Sequence, residues 1–234
     1  MKIVVPMAGE GSRFVKEGYT LPKPLIDVEG KPMIQRVVEN LQHLDADFIF
    51  LVRSSHLENN PLEQLLRSIT QNRCEIVPVD KLTEGAACTV LLAKDLINTS
   101  TSLLIANADQ IIEYSVAEFM RASFDSDVIW TFNASNPKWS FARLGENGQV
   151  IEVAEKNPIS DIATCGVYYW QEGSAFVDCA EEMLARDIRV NGEFYICPVY
   201  NIGVEYGRKI VPFFVDKMWG LGTPEDLNAY LNRA

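Results

Sequence analysis

The sequence is poor in residues on which several classes of protein depend. Only two of its 234 residues are histidine, and its five cysteines form neither a Cys-x-x-Cys pair nor a zinc-binding spacing. No apolar run approaches the roughly 20 residues of a membrane-spanning helix, and the N-terminal apolar stretch is too short for a signal peptide. We therefore expect no zinc site and no membrane partner. Most of the cysteines lie in apolar runs, which favours buried thiols, and their odd number fits a reducing, cytoplasmic compartment.

Positive charge is also scarce. The chain has 21 lysines and arginines against 32 aspartates and glutamates, which gives a formal net charge of -11 at pH 7. Nucleic-acid binding depends on many basic side chains that neutralise phosphates, so we expect no nucleic-acid partner. Any site for a polyphosphate must instead gather a few basic residues in one place.

Short apolar runs alternate with amphipathic segments through the first half of the chain. The runs predict strands at 2–6, 48–52, 75–79, 103–106 and 127–132, and the segments between them predict helices at 33–44, 61–71, 86–97 and 115–124. This order predicts an α/β fold, with a mostly parallel sheet flanked by helices. Ligands bind such sheets at the carboxyl ends of the strands, so the residues after each strand are the first candidates for a site.

The alternation changes after residue 133. Residues 133–170 contain short β-like pieces separated by glycine and asparagine turns, which predicts a small antiparallel subregion joined to the main sheet. Helices are predicted at 174–186 and 193–206, a strand at 209–215, and a last helix that begins at Thr223-Pro224. We expect a single domain over residues 1–234.

A glycine-rich loop, Met7-Ala8-Gly9-Glu10-Gly11-Ser12-Arg13, follows the first predicted strand. Its glycines allow the backbone to approach a ligand closely, so that backbone amides from Ala8 to Ser12 can surround phosphate oxygens while Arg13 adds a fixed charge. The spacing matches neither Gly-x-Gly-x-x-Gly nor a P-loop. A plain turn between strand and helix is the simpler alternative, but it does not explain the arginine beside the glycines.

A second basic element follows at Pro22-Lys23-Pro24. Proline restricts the backbone on both sides of the lysine, so less entropy is lost when Lys23 binds a ligand. An exposed lysine on an extended loop is an equally good interpretation of this segment taken alone.

Three elements in this order resemble the signature of the sugar-phosphate nucleotidyltransferases, which include cytidylyltransferases of small phosphorylated alcohols and acids. They are Gly9 to Arg13, Lys23-Pro24-Leu25 and Gly30-Lys31-Pro32-Met33-Ile34. The resemblance implies a Rossmann-like fold of the nucleotide-diphospho-sugar transferase type. It also implies Mg²⁺-dependent transfer of a nucleotidyl group from a nucleoside triphosphate to a phosphorylated small molecule, most often a sugar 1-phosphate, with release of pyrophosphate.

The resemblance also implies roles for particular residues. Arg13 and Lys23 would contact the triphosphate, and Asp109 would bind Mg²⁺ through a carboxylate, the ligand that this ion prefers. The nucleotide would further contact Ala8, Gly9, Gly11, Ser12, Glu84, Gly85, Ala86 and Asn107. The acceptor would contact Glu155, Lys156, Gly166 and Glu193, with Lys156 holding its phosphate.

One motif departs from the family pattern. Trp219-Gly220-Leu221-Gly222-Thr223-Pro224 resembles Trp-Asp-x-Gly-Thr-Pro, but Gly220 stands where many members have a second metal-binding aspartate. Asp216, a few residues earlier, is our candidate for the replacement carboxylate.

The chemistry needs no general base, because a phosphate monoester is mostly a dianion at neutral pH. Three alternative functions stay open at this stage, and so does the oligomeric state. The acceptor can be a non-sugar phosphate, such as a phosphocholine-like or amino-acid phosphate, with CTP as the donor. The chain can be a glycosyltransferase, although Asn107-Ala108-Asp109 lacks one carboxylate of the expected pair. It can be a non-catalytic nucleotide-binding module, and it can form a homo-oligomer.

Overall fold

A computed structural model describes residues 1–233, in which strands and helices alternate along most of the chain. The strands are β1 (Lys2–Pro6), β2 (Asp27–Val28), β3 (Lys31–Pro32), β4 (Asp47–Arg53), β5 (Cys74–Val79), β6 (Leu103–Ala106), β7 (Gln110–Glu113), β8 (Asp127–Asn133), β9 (Ser140–Leu144), β10 (Val150–Glu155), β11 (Ile162–Trp170), β12 (Ile210–Phe214) and β13 (Lys217–Gly220). The helices are α1 (Ser12–Lys16), α2 (Met33–Leu41), α3 (Ser54–Glu58), α4 (Leu62–Ile69), α5 (Ala86–Leu91), α6 (Lys94–Ile97), α7 (Val116–Ala122), α8 (Gly173–Ala185), α9 (Val199–Glu205) and α10 (Pro224–Leu231).

The main sheet has the strand order β10-β9-β11-β6-β1-β4-β5, with β8 beside β11 and β12 beside β8. Strand β1 runs parallel to both β4 and β6, and Lys2 pairs with Asp47 on one side and with Leu103 on the other. The carboxyl ends of these strands therefore lie at the same edge. The loops that follow β1 and β6 meet there.

Both faces of the sheet are covered by helices, which explains why β1 is apolar and buried from Ile3 to Val5. Val4 points into a core layer formed with α5, α8 and α9. Ile3 and Val5 point into the opposite layer, formed with α2, α4 and α7. The prediction of an α/β fold with a mostly parallel sheet flanked by helices is confirmed.

The predicted antiparallel subregion corresponds to β9, β10 and β11. Strand β11 runs antiparallel to β6, β8 and β9, and thereby joins this region to the main sheet. The register between β11 and β8 shifts between Thr164 and Tyr168. Gly166 lies within this irregularity with a φ of 72°, and its carbonyl accepts a hydrogen bond of 3.0 Å from the backbone N–H of Asn107.

A two-stranded ribbon of β7 and β13 was not predicted. Gln110 pairs with Gly220, and Glu113 pairs with Lys217. The backbone N–H of Leu221 donates to the carbonyl of Asp109 at 2.7 Å. The ribbon thus brings the C-terminal motif next to the loop after β6.

Two predicted helices differ from the structure. The helix predicted at 193–206 begins only at Val199, because Pro198 lacks an N–H and stands at its N-cap. Glu193 pairs with Val190 in an isolated bridge and does not open a helix. The helix predicted at 86–97 is divided into α5 and α6. Among residues 1–233, no helix combines the length and apolar character that crossing a bilayer requires.

Candidate active site

A cavity of about 380 Å³ lies at the carboxyl edge of the sheet, between the loops that follow β1 and β6. Its lining includes Gly9, Gly11, Ser12, Arg13, Lys23, Asn107 and Asp109. We call this space the first cavity. The sequence brings these residues together because β1 and β6 are adjacent parallel strands whose carboxyl ends coincide.

The glycine-rich loop is closely packed against the lysine segment. Gly11 has a φ of 62°, and a Cβ atom at this position would lie 3.1 Å from the Cβ of Lys23. The carbonyl of Gly11 accepts the backbone N–H groups of Phe14 and Val15, which starts α1. Both the left-handed backbone and the close approach of Lys23 therefore favour glycine at this position.

Lys23 and Asp109 form an ion pair across the first cavity. The Lys23 ammonium donates to the Asp109 carboxylate, and both side chains are mostly buried. Lys23 belongs to a short 3₁₀ turn, Lys23–Leu25, with Pro22 at its start. The proline-flanked segment thus places its lysine in the lining of the first cavity.

A second cavity, of about 550 Å³, adjoins the first. Arg13, Asn107 and Asp109 line both spaces. The rest of its lining comes mainly from the antiparallel strands, from residues 193–197 and from the C-terminal motif. It includes Gln110, Lys138, Trp139, Ser140, Glu155, Lys156, Gly166, Tyr168, Glu193, Tyr195, Gly220, Gly222, Thr223 and Asp226.

Lys156 is held in an unusual conformation at the wall of the second cavity. Its φ is 54°, a left-handed value that is uncommon for a residue with a side chain. Its backbone N–H donates to the carbonyl of Trp139 at 3.0 Å. Its ammonium donates to the Tyr195 hydroxyl and lies 4.4 Å from the centre of that ring. Such strain is stored at functional sites more often than elsewhere.

Glu155 lies beside Lys156, and burial raises the pKa of its carboxyl. A hydrogen bond from the Ser140 hydroxyl and the charge of Lys156 lower the same pKa, and the nearby charge of Glu193 raises it. Because the net shift is upward, the ionised carboxylate is destabilised here relative to water. A hydrogen-bond donor on a ligand would compensate for this.

A third cavity, of about 320 Å³, lies on the other side of the glycine-rich loop, and its lining includes Ala8, Gly9, Thr83, Gly85 and Ala86. A Cβ atom on Gly85 would lie 2.4 Å from the carbonyl oxygen of Phe194, so only glycine fits. The backbone N–H of Ala87 donates to that same oxygen at 3.0 Å. The contacts at Phe194 thereby hold residues 193–197, which contribute to the second cavity, against residues 83–86, which contribute to the third.

The structure brings most of the predicted site residues to these three cavities. They are Ala8, Gly9, Gly11, Ser12, Arg13, Lys23, Gly85, Ala86, Asn107, Asp109, Glu155, Lys156, Gly166 and Glu193. Glu84 is an exception, because it lies outside the lining of all three, and its carboxylate pairs with Arg189 at 2.7 Å.

The structure does not place Asp216 at the site. Its backbone N–H donates to the carbonyl of Glu113 at 2.9 Å, at the end of the ribbon opposite Gly220 and Gln110. Three ladder positions separate Lys217 from Gly220, or roughly 10 Å at the usual rise of a strand. The short side chain of Asp216 does not span that distance to the carboxylate of Asp109.

The sequence did not single out Asp226 or Lys138 as site residues. The Lys138 ammonium donates to the Asp226 carboxylate at 2.9 Å and stacks on Trp139, 4.6 Å from the ring centre. Asp226 lies in the first turn of α10. Its position six residues after Gly220 was the available signal, but no sequence rule connects the two.

The site can accommodate Mg²⁺ together with phosphate groups. Within residues 1–233, no three His, Cys, Asp or Glu side chains are grouped closely enough to hold a metal ion. Magnesium, however, is commonly held by one or two carboxylates, with phosphate oxygens and water as the other ligands. A Cβ atom on Gly222 would lie 3.2 Å from Oδ2 of Asp109, so the glycine leaves that side of the carboxylate open.

The fold and the cavities define an α/β protein whose candidate site lies at the carboxyl ends of parallel strands, with a glycine-rich loop and several basic side chains in its lining. The family model described as nucleotidyl transferase matches residues 2–211. The chain belongs to this family of enzymes, which confirms the resemblance found in the sequence.

Two curated relatives illustrate the extent of the similarity. The bifunctional protein GlmU of Methanocaldococcus jannaschii is 27% identical over 176 residues, which cover 72% of this chain and 39% of GlmU. The low-salt glycan biosynthesis nucleotidyltransferase Agl11 of Haloferax volcanii is 25% identical over 239 residues, covering 97% of this chain and 64% of Agl11. The chain thus spans less than two thirds of the length of either relative.

Solved structures show the same fold. A nucleoside-diphosphate-sugar pyrophosphorylase from Vibrio cholerae superposes with a TM-score of 0.85 at 25% identity, covering 99% of this chain and 100% of that one. A UDP-glucose pyrophosphorylase in complex with UDP-glucose superposes with a TM-score of 0.78 at 19% identity, covering 99% and 97%. The expected fold type is therefore confirmed.

Proposed function

We propose that residues 1–234 form a single domain that transfers a nucleotidyl group from a nucleoside triphosphate to a phosphorylated small molecule, with a sugar 1-phosphate as the favoured acceptor. The observation that carries this proposal is the junction of the two cavities. The glycine-rich loop, Arg13 and Lys23 line the first, Lys156 lines the second, and Arg13, Asn107 and Asp109 line both. A triphosphate in the first cavity and an acceptor phosphate in the second would meet at this junction.

In the proposed reaction an oxygen of the acceptor phosphate attacks the α-phosphorus. A new P–O bond forms, and the bond from the α-phosphorus to the bridging oxygen breaks, so that pyrophosphate leaves with the electron pair. The acceptor phosphate has a second pKa of about 6 and is mostly dianionic at neutral pH. The residues must therefore supply alignment and positive charge, not a general base.

The basic residues divide these tasks. Arg13 and Lys23 neutralise the departing pyrophosphate, and Lys156 holds the incoming phosphate. Asp109 would hold Mg²⁺, which, when bound, neutralises phosphate charge. Glu155 and Glu193 line the second cavity, where their carboxylates can accept hydrogen bonds from acceptor hydroxyls. This pair of acceptors supports a sugar.

One observation favours a second candidate acceptor, a phosphate ester with a quaternary ammonium group. Three aromatic residues, Trp139, Tyr168 and Tyr195, line the second cavity. Lysine ammonium groups already stack on two of them, 4.6 Å from Trp139 and 4.4 Å from Tyr195. These rings therefore accept a cation, as rings that bind choline-like ligands do.

The test is pyrophosphate release in the presence of Mg²⁺. Each of the four ribonucleoside triphosphates and dTTP would be combined with a panel of sugar 1-phosphates, phosphocholine and phosphorylated amino acids. We expect release with one nucleotide and one acceptor. Arg13→Ala should lower kcat/KM by about 10²-fold or more, since loss of one donor to a developing charge costs about 3 kcal/mol.

Arg67→Ala is the matched control, because Arg67 lies on α4 and pairs with the exposed Glu63. We expect it to leave the rate unchanged. If Arg13→Ala were as active as Arg67→Ala, the assignment of the first cavity to the triphosphate would be wrong. If the chain consumed a nucleotide-sugar and neither released nor used pyrophosphate, it would act as a glycosyltransferase.

A further inference from the structure

Gly220 leaves a space in the wall of the second cavity. It pairs with Gln110 across the ribbon, one residue from Asp109. A Cβ atom on Gly220 would lie 3.3 Å from the indole of Trp139 and 4.0 Å from the carboxyl carbon of Asp226. The space that a side chain at position 220 would enter is therefore bounded by an aromatic ring and by a carboxylate from another element.

The start of α10 fixes the position of that carboxylate. Thr223 is the N-cap, and its hydroxyl accepts the backbone N–H of Asp226 at 3.1 Å. Pro224 stands in the first turn, where its restricted φ suits a helix. Because the bond from Thr223 uses the backbone N–H of Asp226, it positions this residue without using its carboxylate.

Each of the two aspartates that line this part of the cavity carries a lysine ammonium. Lys23 donates to Asp109, and Lys138 donates to Asp226 at 2.9 Å. Both carboxylates are thus paired with a monovalent cation. The side chain of Asp226 is only 25% exposed, so most of it is shielded from water. A divalent ion offers each of them a larger charge.

A second, independent feature of the same wall calls for a ligand. Gln110 is only 8% exposed, and its Oε1 atom accepts no hydrogen bond from the described part of the chain. Gln110 lines the second cavity together with Asp109 and Asp226. A buried carbonyl oxygen of this kind needs a donor, and water bound to a metal ion is a strong one.

We propose that Asp226 supplies the second carboxylate of the metal site, in place of the aspartate that Gly220 replaces. Asp109 and Asp226 would hold the divalent cation, and phosphate oxygens and water would complete its ligands. Lys138 competes with the metal for Asp226. This inference rests on the metal-assisted transfer proposed above.

The test uses Mn²⁺ as the probe and does not depend on turnover. Mn²⁺ alone would be titrated into the full chain, because pyrophosphate itself chelates Mn²⁺, and free Mn²⁺ would be measured from its electron paramagnetic resonance signal. We expect Asp226→Asn to weaken Mn²⁺ binding about tenfold or more, since even outer partners of a metal are worth 10- to 100-fold. Glu225→Gln, on the same helical turn but exposed, is the matched control and should change nothing.

Lys138→Met separates a metal ligand from a residue that only positions the lysine. If Asp226 binds the metal, removing the competing ammonium should leave Mn²⁺ binding unchanged or make it tighter, opposite to Asp226→Asn. If Asp226 only holds Lys138, the two variants should weaken pyrophosphate binding alike and leave the affinity for Mn²⁺ as it was. That result would overturn the inference.

Asp109→Asn distinguishes failure of this inference from failure of the proposed function. Loss of Mn²⁺ binding in Asp109→Asn but not in Asp226→Asn would refute only the role of Asp226. No loss in either variant would also refute the role proposed for Asp109. Asp216→Asn should bind Mn²⁺ as the unsubstituted chain does. Thermal midpoints of all variants would show that each is folded, and the backbone cap of α10 is retained in Asp226→Asn.

Discussion

Gly166 offers a sharp test of how the backbone shapes the acceptor side of the site. Its φ is 72°, and a Cβ atom there would lie 2.2 Å from Nδ2 of Asn107 and 2.6 Å from Oε1 of Gln110. Neither distance is tolerable for non-bonded atoms. Both groups are the ends of side chains. In Gly166→Ala we therefore expect the side chains of Asn107 and Gln110 to move away, while the backbone stays in place.

The expected size of each effect follows from this geometry. A left-handed backbone costs a residue with a side chain about 1–2 kcal/mol. Gly148 has a φ of 77° and no atom within 4 Å of its missing Cβ, so Gly148→Ala carries the backbone strain alone. The two variants should lose similar stability. Only Gly166→Ala should also lose activity, by about 10²-fold, the loss that a 1 Å displacement of site groups can produce.

Two measurements decide the matter. Denaturant unfolding gives the free energy of unfolding of each variant, and pyrophosphate release gives kcat/KM. The reasoning would be refuted if Gly166→Ala retained the activity of Gly148→Ala. It would also be refuted if Gly166→Ala were several kcal/mol less stable than the control, because the strain would then have spread into the sheet.

Two further predictions concern buried charge. Arg208 forms a two-pronged ion pair with Asp127, which is 1% exposed. Arg208→Met should therefore lower the free energy of unfolding by about 3 kcal/mol, whereas Arg67→Met at an exposed pair should change it by less than about 1 kcal/mol. Equal losses in denaturant unfolding would contradict this. Burial raises the pKa of Glu155 above 4.5, so its ionised form weakens the fold at neutral pH. Glu155→Gln should raise the melting temperature at pH 7, and this gain should disappear as the pH falls below 4.5; a gain independent of pH would refute the assignment.

Local sequence signals predicted most of the central sheet. The apolar run at β1 and the capping pattern at Thr223 each depend on a few consecutive residues, and both elements begin where the sequence indicated. The ribbon of β7 and β13 was missed because its strands are short and lie more than 100 residues apart in the chain. Pairing over such distances depends on where the rest of the sheet places the strands, which periodicity does not reveal.

The candidate site likewise combines features that a few consecutive residues reveal with features that depend on the fold. The glycine-rich loop directly follows β1, and the segment around Lys23 lies a few residues after α1, so both could be recognised from consecutive residues in the sequence. Asp216 was chosen for its nearness to Gly220 in the chain, but in an extended strand nearby residues lie far apart. Asp226 is farther from Gly220 along the chain than Asp216 is, but its carboxyl group lies beside Gly220 in space, because the turn into α10 folds back on the ribbon.

On the proposed function, the arrangement of ion pairs would allow an acidic protein to bind phosphates. Lys23 and Lys138 are each paired with an aspartate, so the cavities gather basic groups without a large local excess of charge. A triphosphate that draws these lysines away would leave the carboxylates of Asp109 and Asp226 without their cations. Those carboxylates would then attract a divalent ion beside the phosphates. On the two proposals made here, phosphate binding and metal binding should therefore strengthen one another, because each provides the partner that the other displaces.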